Sequence, residues 1–256
     1  MSKKNNNRRE TARKEAERIA AKQAASDNRT RNILIGVIAV VVLALVGVGY
    51  MLVTESQKTV LSDFDGATPA SADLHGGIPF GGSDATAGVE NEDAPAIGVY
   101  ADFLCPACAA FDEANADEIR ELAESGTATI VYHPVNILDS SGDLTGYSTR
   151  AANAFVEVVE NSPEHALEFM EALFANQPDA EGYTDDELGE IAESVGVSAD
   201  VTAKFSDGAY IEWVDTARQQ AQRDGMKATP SVAFDGKVDD SFDWTVPGAL
   251  TERVGG

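Results

Sequence analysis

Residues 96–111 read AIGVYADFLCPACAAF, and the order of residue types within them sets the first elements of the fold. Ala96 to Leu104 is rich in β-branched and aromatic residues and predicts a buried strand. Both cysteines of the chain follow at once, Cys105 and Cys108, with Pro106 and Ala107 between them. Proline suits the first turn of a helix, where its missing N–H is no loss, so a helix is expected from Cys105 to Ser125. Cys108, Phe111, Ile119 and Leu122 fall near one face of it, and Gly126 is placed to stop it. TATIVYHPV, residues 127–135, predicts a second buried strand. Strand, helix and strand in this order form a βαβ unit, whose strands pair in parallel through a right-handed crossover.

Working outward, the C-terminal side predicts several helices. Tyr147 to Glu160 is rich in Ala and Val; Ser162 can cap a helix with Pro163 at its first position. Thr184 to Glu187 matches a capping box, and Gly196 ends that helix. Ser198 can cap a short turn, and Gly208 precedes an amphipathic helix reaching Gly225. PSVAFDGKVDD, residues 230–240, predicts a hairpin turning at Asp235-Gly236, the residue pair that a type I′ turn favours. A short helix, Val246 to Val254, follows. The expectation is therefore an α/β sandwich spanning 93–256, with a helical insert at about 145–226.

The N-terminal side is different in kind. Ile33 to Val53 is 21 residues without a charge, long enough to cross a bilayer of about 30 Å as one helix. The 32-residue leader before it and the lack of a small-residue cleavage pattern after it favour an uncleaved anchor over a removed signal peptide. Residues 1–32 hold ten Lys or Arg against four Asp or Glu, whereas the whole chain carries a net charge of -24. The positive-inside rule then puts the basic tail, 1–32, in the cytoplasm and the acidic part outside. So acidic a domain repels nucleic acid. Residues 54–92 are rich in Gly, Ala, Ser, Thr and Asp and read as a flexible stalk, with one short extended piece at Gly77 to Gly81.

Two thiols at a strand–helix junction admit three readings. A zinc site needs two more ligands, and the chain offers only His75, His133 and His165, in no metal-binding spacing. A structural bridge would close a tiny loop and constrain little of the unfolded chain. A redox pair gains from the site: the free N–H groups and positive end of a helix favour a thiolate at Cys105. Cys108, one turn deeper, is then the resolving thiol. No metal and no cofactor is called for.

VYADFLCPAC together with the distant ATPSVAFDGK resembles the DsbA-like thiol–disulfide oxidoreductases with a thioredoxin fold, in their membrane-anchored actinobacterial envelope form. The likeness covers about residues 95–254. It implies a thioredoxin-like fold with an inserted helical subdomain, preceded here by one transmembrane helix. It also implies a cis peptide bond before Pro230, and a Thr229-Pro230 loop that faces the cysteines beside Pro106 and Ala107 and presents backbone to a bound peptide. Many such relatives carry a buried acid six residues before the first cysteine. Val99 stands there, so proton handling falls to other groups, and Asp102 and His133 are the candidates for proton transfer or thiol tuning. Phe103 and Leu104 are candidates for an apolar rim.

The activity these features imply is oxidation of cysteine pairs in exported proteins by a membrane-anchored, extracytoplasmic enzyme. Its reoxidant, on the same resemblance, is a quinone-linked membrane protein of the DsbB or vitamin K epoxide reductase-like type. A reductase or isomerase, and a thioredoxin-fold module that binds exported clients, are the alternatives.

Overall fold

The computed structural model describes residues 15, 42–44, 46, 58–139, 143–178 and 181–255. The expected basic tail and membrane segment, 1–32 and 33–53, lie outside the described residues apart from residues 15, 42–44 and 46, which are helical.

Strand β3 (Ala96–Ala101), helix α1 (Pro106–Glu124) and strand β4 (Thr129–Pro134) form the expected βαβ unit, with β3 and β4 parallel. Its register pairs Val99 with Tyr132 and Tyr100 with His133. Because side chains alternate along a strand, Val99 and Ala101 face the main core while Tyr100 faces the other way. Helix α1 buries Cys108, Phe111, Asp112, Asn115, Ile119 and Leu122, and Gly126 follows it with φ +74°.

The insert consists of α2 (Tyr147–Asn161), α3 (Ala166–Ala175), α4 (Asp185–Ser194), α5 (Ala199–Thr202) and α6 (Ile211–Arg223). The capping box forms as expected: Glu187 N donates to Thr184 Oγ1 at 3.3 Å and Thr184 N donates to Glu187 Oε2 at 2.7 Å. Ser162 differs from expectation, since Pro163–His165 is only a 3₁₀ turn and Ser162 makes no side-chain cap. Strands β5 (Ser231–Phe234) and β6 (Lys237–Val238) make the hairpin, with Asp235 and Gly236 both at positive φ as a type I′ turn requires. Helix α7 (Ala249–Gly255) closes the described chain.

The expected stalk is a correction. Ile78–Gly81 is strand β1 and Thr86–Ala87 is strand β2, and they extend the sheet to the order β2-β1-β4-β3-β5-β6. β1 runs antiparallel to β4, and Ile78 and Phe80 are fully buried. Thr59–Gly256 is one compact unit. Hydrogen bonds to the rest of that unit tie the supposed stalk down: Val60 N donates to Gln220 Oε1 at 2.7 Å, and the stalk's own Asn91 Nδ2 donates to the Ala123 and Ala128 carbonyls at 2.7 and 2.8 Å. A Gly-rich composition reads as flexible only while no neighbouring edge is there to pair with it, and β4 supplies that edge.

Candidate functional site

Cys105 is the N-cap of α1, in extended backbone with φ -79° and ψ 115°, and Pro106 opens the helix behind it. Pro106 and Ala107 are exposed; Cys105 and Cys108 are buried, at 7% and 1% exposure. Both sulfurs are free thiols in this structure. Cys105 Sγ donates to the Thr229 carbonyl oxygen at 3.3 Å, and the Thr229-Pro230 peptide is cis. The fold thus brings Cys105, Cys108, Thr229 and Pro230 to one place from opposite ends of the insert.

The two thiols sit in unequal fields. The Cys108 S–H donates to Cys105, and this is the largest influence pulling the Cys105 thiol down to about 5. The Thr229 side chain and the N–H groups of Cys108 and Ala107 add to it, while burial opposes. The same shared proton, together with burial, pushes Cys108 well above the ordinary thiol range. The arrangement yields one thiolate near neutral pH with a protonated partner behind it, the division of labour that thiol–disulfide exchange needs. Among the described residues no group of three or more His, Cys, Asp or Glu is placed to hold a metal ion.

Asp102 is fully buried, and its carboxylate is engaged by the loop rather than by either sulfur. Oδ1 accepts from Leu104 N at 2.9 Å and from Ser148 Oγ at 2.6 Å, and Oδ2 accepts from Leu138 N at 2.9 Å. Burial raises it to about 6 although these donors pull the other way.

His133 does not meet Cys105. Its register partner is Tyr100, on which it stacks at 4.1 Å, so it lies on the sheet face away from the cysteines. There it lines a cavity of about 360 Å³ with Asp73, His75 and Asp224, and burial lowers it to about 4. Strand parity removes it from the role of tuning Cys105. Phe103 likewise belongs to the core, packed on Phe155 and Phe174 at 5.6 and 5.1 Å, and leaves the apolar rim to the half-buried Leu104. Val99 is fully buried between Val232 and Tyr132.

Residues 84–245 match the family model described as Thioredoxin. The chain belongs to the thioredoxin family. Disulfide bond formation protein D of Bacillus subtilis (strain 168) is 28% identical over 158 residues, 59% of this chain and 68% of that protein. Reduced DsbA from Mycobacterium tuberculosis superposes with a TM-score of 0.58 at 29% identity, covering 70% of this chain and 90% of that one. MdbA, a thiol-disulfide oxidoreductase from Actinomyces oris, shares the fold with a TM-score of 0.61 at 24% identity, over 77% of this chain and 95% of that one.

Two contacts in this thioredoxin-family chain escaped the sequence. Gln177, just beyond α3, donates its amide to the carbonyls of Phe103 at 3.0 Å and Cys105 at 2.8 Å. Asp139 accepts from Ser148 N, Thr149 N and Thr149 Oγ1, at 3.2, 2.7 and 2.6 Å, and so caps α2 from ahead of its N-cap residue. Gln177 carries no spacing signal because its partners lie 74 and 72 residues away, and Asp139, 9 and 10 residues before its partners, lies outside the usual N-cap position.

Proposed function

We propose that the protein is a membrane-anchored, extracytoplasmic thiol–disulfide oxidoreductase that oxidises cysteine pairs of exported proteins. The observation that carries this reading is the asymmetry of the pair: a thiol at about 5 on the N-cap of α1, with Cys108 protonated behind it and Thr229 in front. A strongly stabilised Cys105 thiolate favours the dithiol form, which makes the disulfide form oxidising. The relative named for disulfide bond formation agrees in direction.

In the oxidised enzyme a substrate thiolate attacks Cys105 Sγ. The Cys105–Cys108 bond breaks, a substrate–Cys105 disulfide forms, and the Cys108 sulfur leaves with the electron pair and takes up a proton. A second substrate thiolate attacks the substrate sulfur of that mixed disulfide and releases Cys105 as thiolate. The substrate loses two electrons and the enzyme gains them. Thr229 and Pro230 border the sulfur under attack, with the exposed Pro106 and Ala107 beside them. Reoxidation needs an external acceptor, because the chain holds no third cysteine for an internal relay. A quinone-linked membrane protein fits an enzyme held at the bilayer by residues 33–53.

The deciding experiment is the reduction potential of the pair in glutathione buffers. An oxidase is expected near -120 mV, and a value near about -270 mV would make the protein a reductase instead. Cys105→Ser is expected to abolish exchange, whereas a client-holding module would keep its function. For topology, Asp65→Cys in a chain lacking both native cysteines is expected to react with an impermeant reagent on intact cells. Protection would overturn the extracytoplasmic placement.

A further inference from the structure

We infer that Gln177 is a positioning residue for the redox centre, through which the helical insert sets the reactivity of Cys105. The inference rests on the reading of Cys105 as the attacking thiol. It goes beyond that reading by naming the group that holds the thiol in place.

The turn before α1 is short. Cys105 N donates to the Asp102 carbonyl at 3.0 Å, and Leu104 N is held by the Asp102 side chain. These bonds satisfy N–H groups and leave the Phe103 carbonyl outside the helix ladder. Gln177 Nε2 carries two hydrogens and donates one to that carbonyl and one to the Cys105 carbonyl. The Cys105 oxygen also accepts from Cys108 N at 2.9 Å and Ala109 N at 3.2 Å, which are the bonds that open α1. One primary amide therefore fixes both the approach to Cys105 and the first turn behind it.

Two consequences for the sulfur follow. The N–H groups of Ala107 and Cys108 stabilise the thiolate only while that first turn keeps its orientation. The Cys105 carbonyl belongs to the same residue as the anion and is less repulsive when its oxygen is hydrogen-bonded. Both effects lower the thiol. A second contact from the same segment serves as an internal control: Phe174, on α3, stacks ring to ring on Phe103 at 5.1 Å and has no hydrogen-bond donor on its side chain. Packing and positioning can thus be separated by substitution.

The test is the Cys105 titration, followed by thiolate absorbance, with the reduction potential in glutathione buffers, for full-length wild type, Gln177→Leu, Gln177→Glu and Phe174→Leu. Gln177→Leu removes both donors and is expected to raise the Cys105 pKa by roughly half a unit to one unit. That is about a three- to tenfold loss of thiolate below the pKa. Gln177→Glu keeps the shape but turns acceptor oxygens toward two carbonyls, so its upward shift should be at least as large at neutral pH. In both variants the disulfide should become less oxidising. Phe174→Leu should lower the melting temperature and leave pKa and potential in place. Unchanged pKa and potential in the Gln177 variants, or equal shifts from Phe174→Leu, overturn the positioning role while leaving Cys105 as the nucleophile. A wild-type protein that does not exchange with glutathione disulfide overturns both.

Discussion

Cys105 Sγ points at the Thr229 carbonyl oxygen, 3.3 Å away, and donates to it. A carbonyl can accept from a thiol but not from a thiolate, so this contact holds the protonated sulfur only. The Thr229 side chain acts in the opposite sense, lowering the thiol pKa. One residue thus offers each protonation state a partner. Thr229→Val removes the hydroxyl and keeps the carbonyl. The Cys105 pKa should rise by about half a unit to one unit, measured by thiolate absorbance; an unchanged titration would leave the lowering to Cys108 and the helix N–H groups.

The Cys108 thiol is the largest influence on its neighbour, and that can be isolated. Cys108→Ser keeps an O–H donor and should hold the Cys105 pKa low, whereas Cys108→Ala should raise it by about one to two units, the worth of a hydrogen bond to an anion. Alkylation rate against pH reads the difference. Equal rates in the two variants would show that the proton shared between the sulfurs is unimportant.

Stability should depend on redox state and pH together. The folded Cys105 thiol lies near 5, below its ordinary value of 9.0. Its stabilising contribution is therefore fully present above about pH 9 and is lost as pH falls through 5. The disulfide form has no such group to titrate. The dithiol form should gain on it from pH 5 to 9, by up to about 1.4 kcal/mol or roughly 3 °C per pH unit. Parallel melting curves for the two forms across that range would contradict the assignment of the low pKa to the native thiolate.

Asp112 carries the opposite sign. Burial on α1, helped by the Glu171 carboxylate and opposed by Arg120, raises it to about 7 from 3.8. Its cost is absent below about pH 4, grows as pH rises through 7, and is constant above. Asp112→Asn should stabilise the protein at pH 8 by on the order of 2 kcal/mol and leave it unchanged near pH 4. Urea melts at the two pH values measure this.

The folded character of β1 can be tested by packing. Phe80 stands edge-on to Tyr132 at 5.4 Å and stacks on Phe155 at 6.3 Å. Phe80→Ala should cost about 3–5 kcal/mol. A flexible segment would lose nothing, so a melting temperature equal to wild type would restore the stalk.

Local signals were legible and non-local ones were not. The run from Ala96 to Pro134 could be read because each of its elements carries its own punctuation: β-branched residues in the strands, Pro106 at the start of α1, Gly126 at its end. Thr184 to Glu187 and Asp235-Gly236 are equally self-contained. Gly77 to Gly81 reads only as a short extended piece of a stalk, because the burial of β1 comes from pairing with β4, about 50 residues on. His133 is a candidate for tuning Cys105 on its place near the end of β4 alone; which face it takes depends on strand parity and register, and these set it against Tyr100. The meeting of Thr229 with Cys105 came from family likeness, and Gln177 had no likeness and no spacing to announce it.

The burial of Cys108 behind Cys105 has a kinetic consequence. With 1% of Cys108 exposed and only two cysteines in the chain, the proposed exchange passes electrons in and out through a single sulfur. The molecule that delivers electrons and the one that removes them must use the same doorway in turn, never together. Turnover is then ping-pong, with parallel double-reciprocal lines, and an excess of either partner slows the cycle by occupying the form that the other requires.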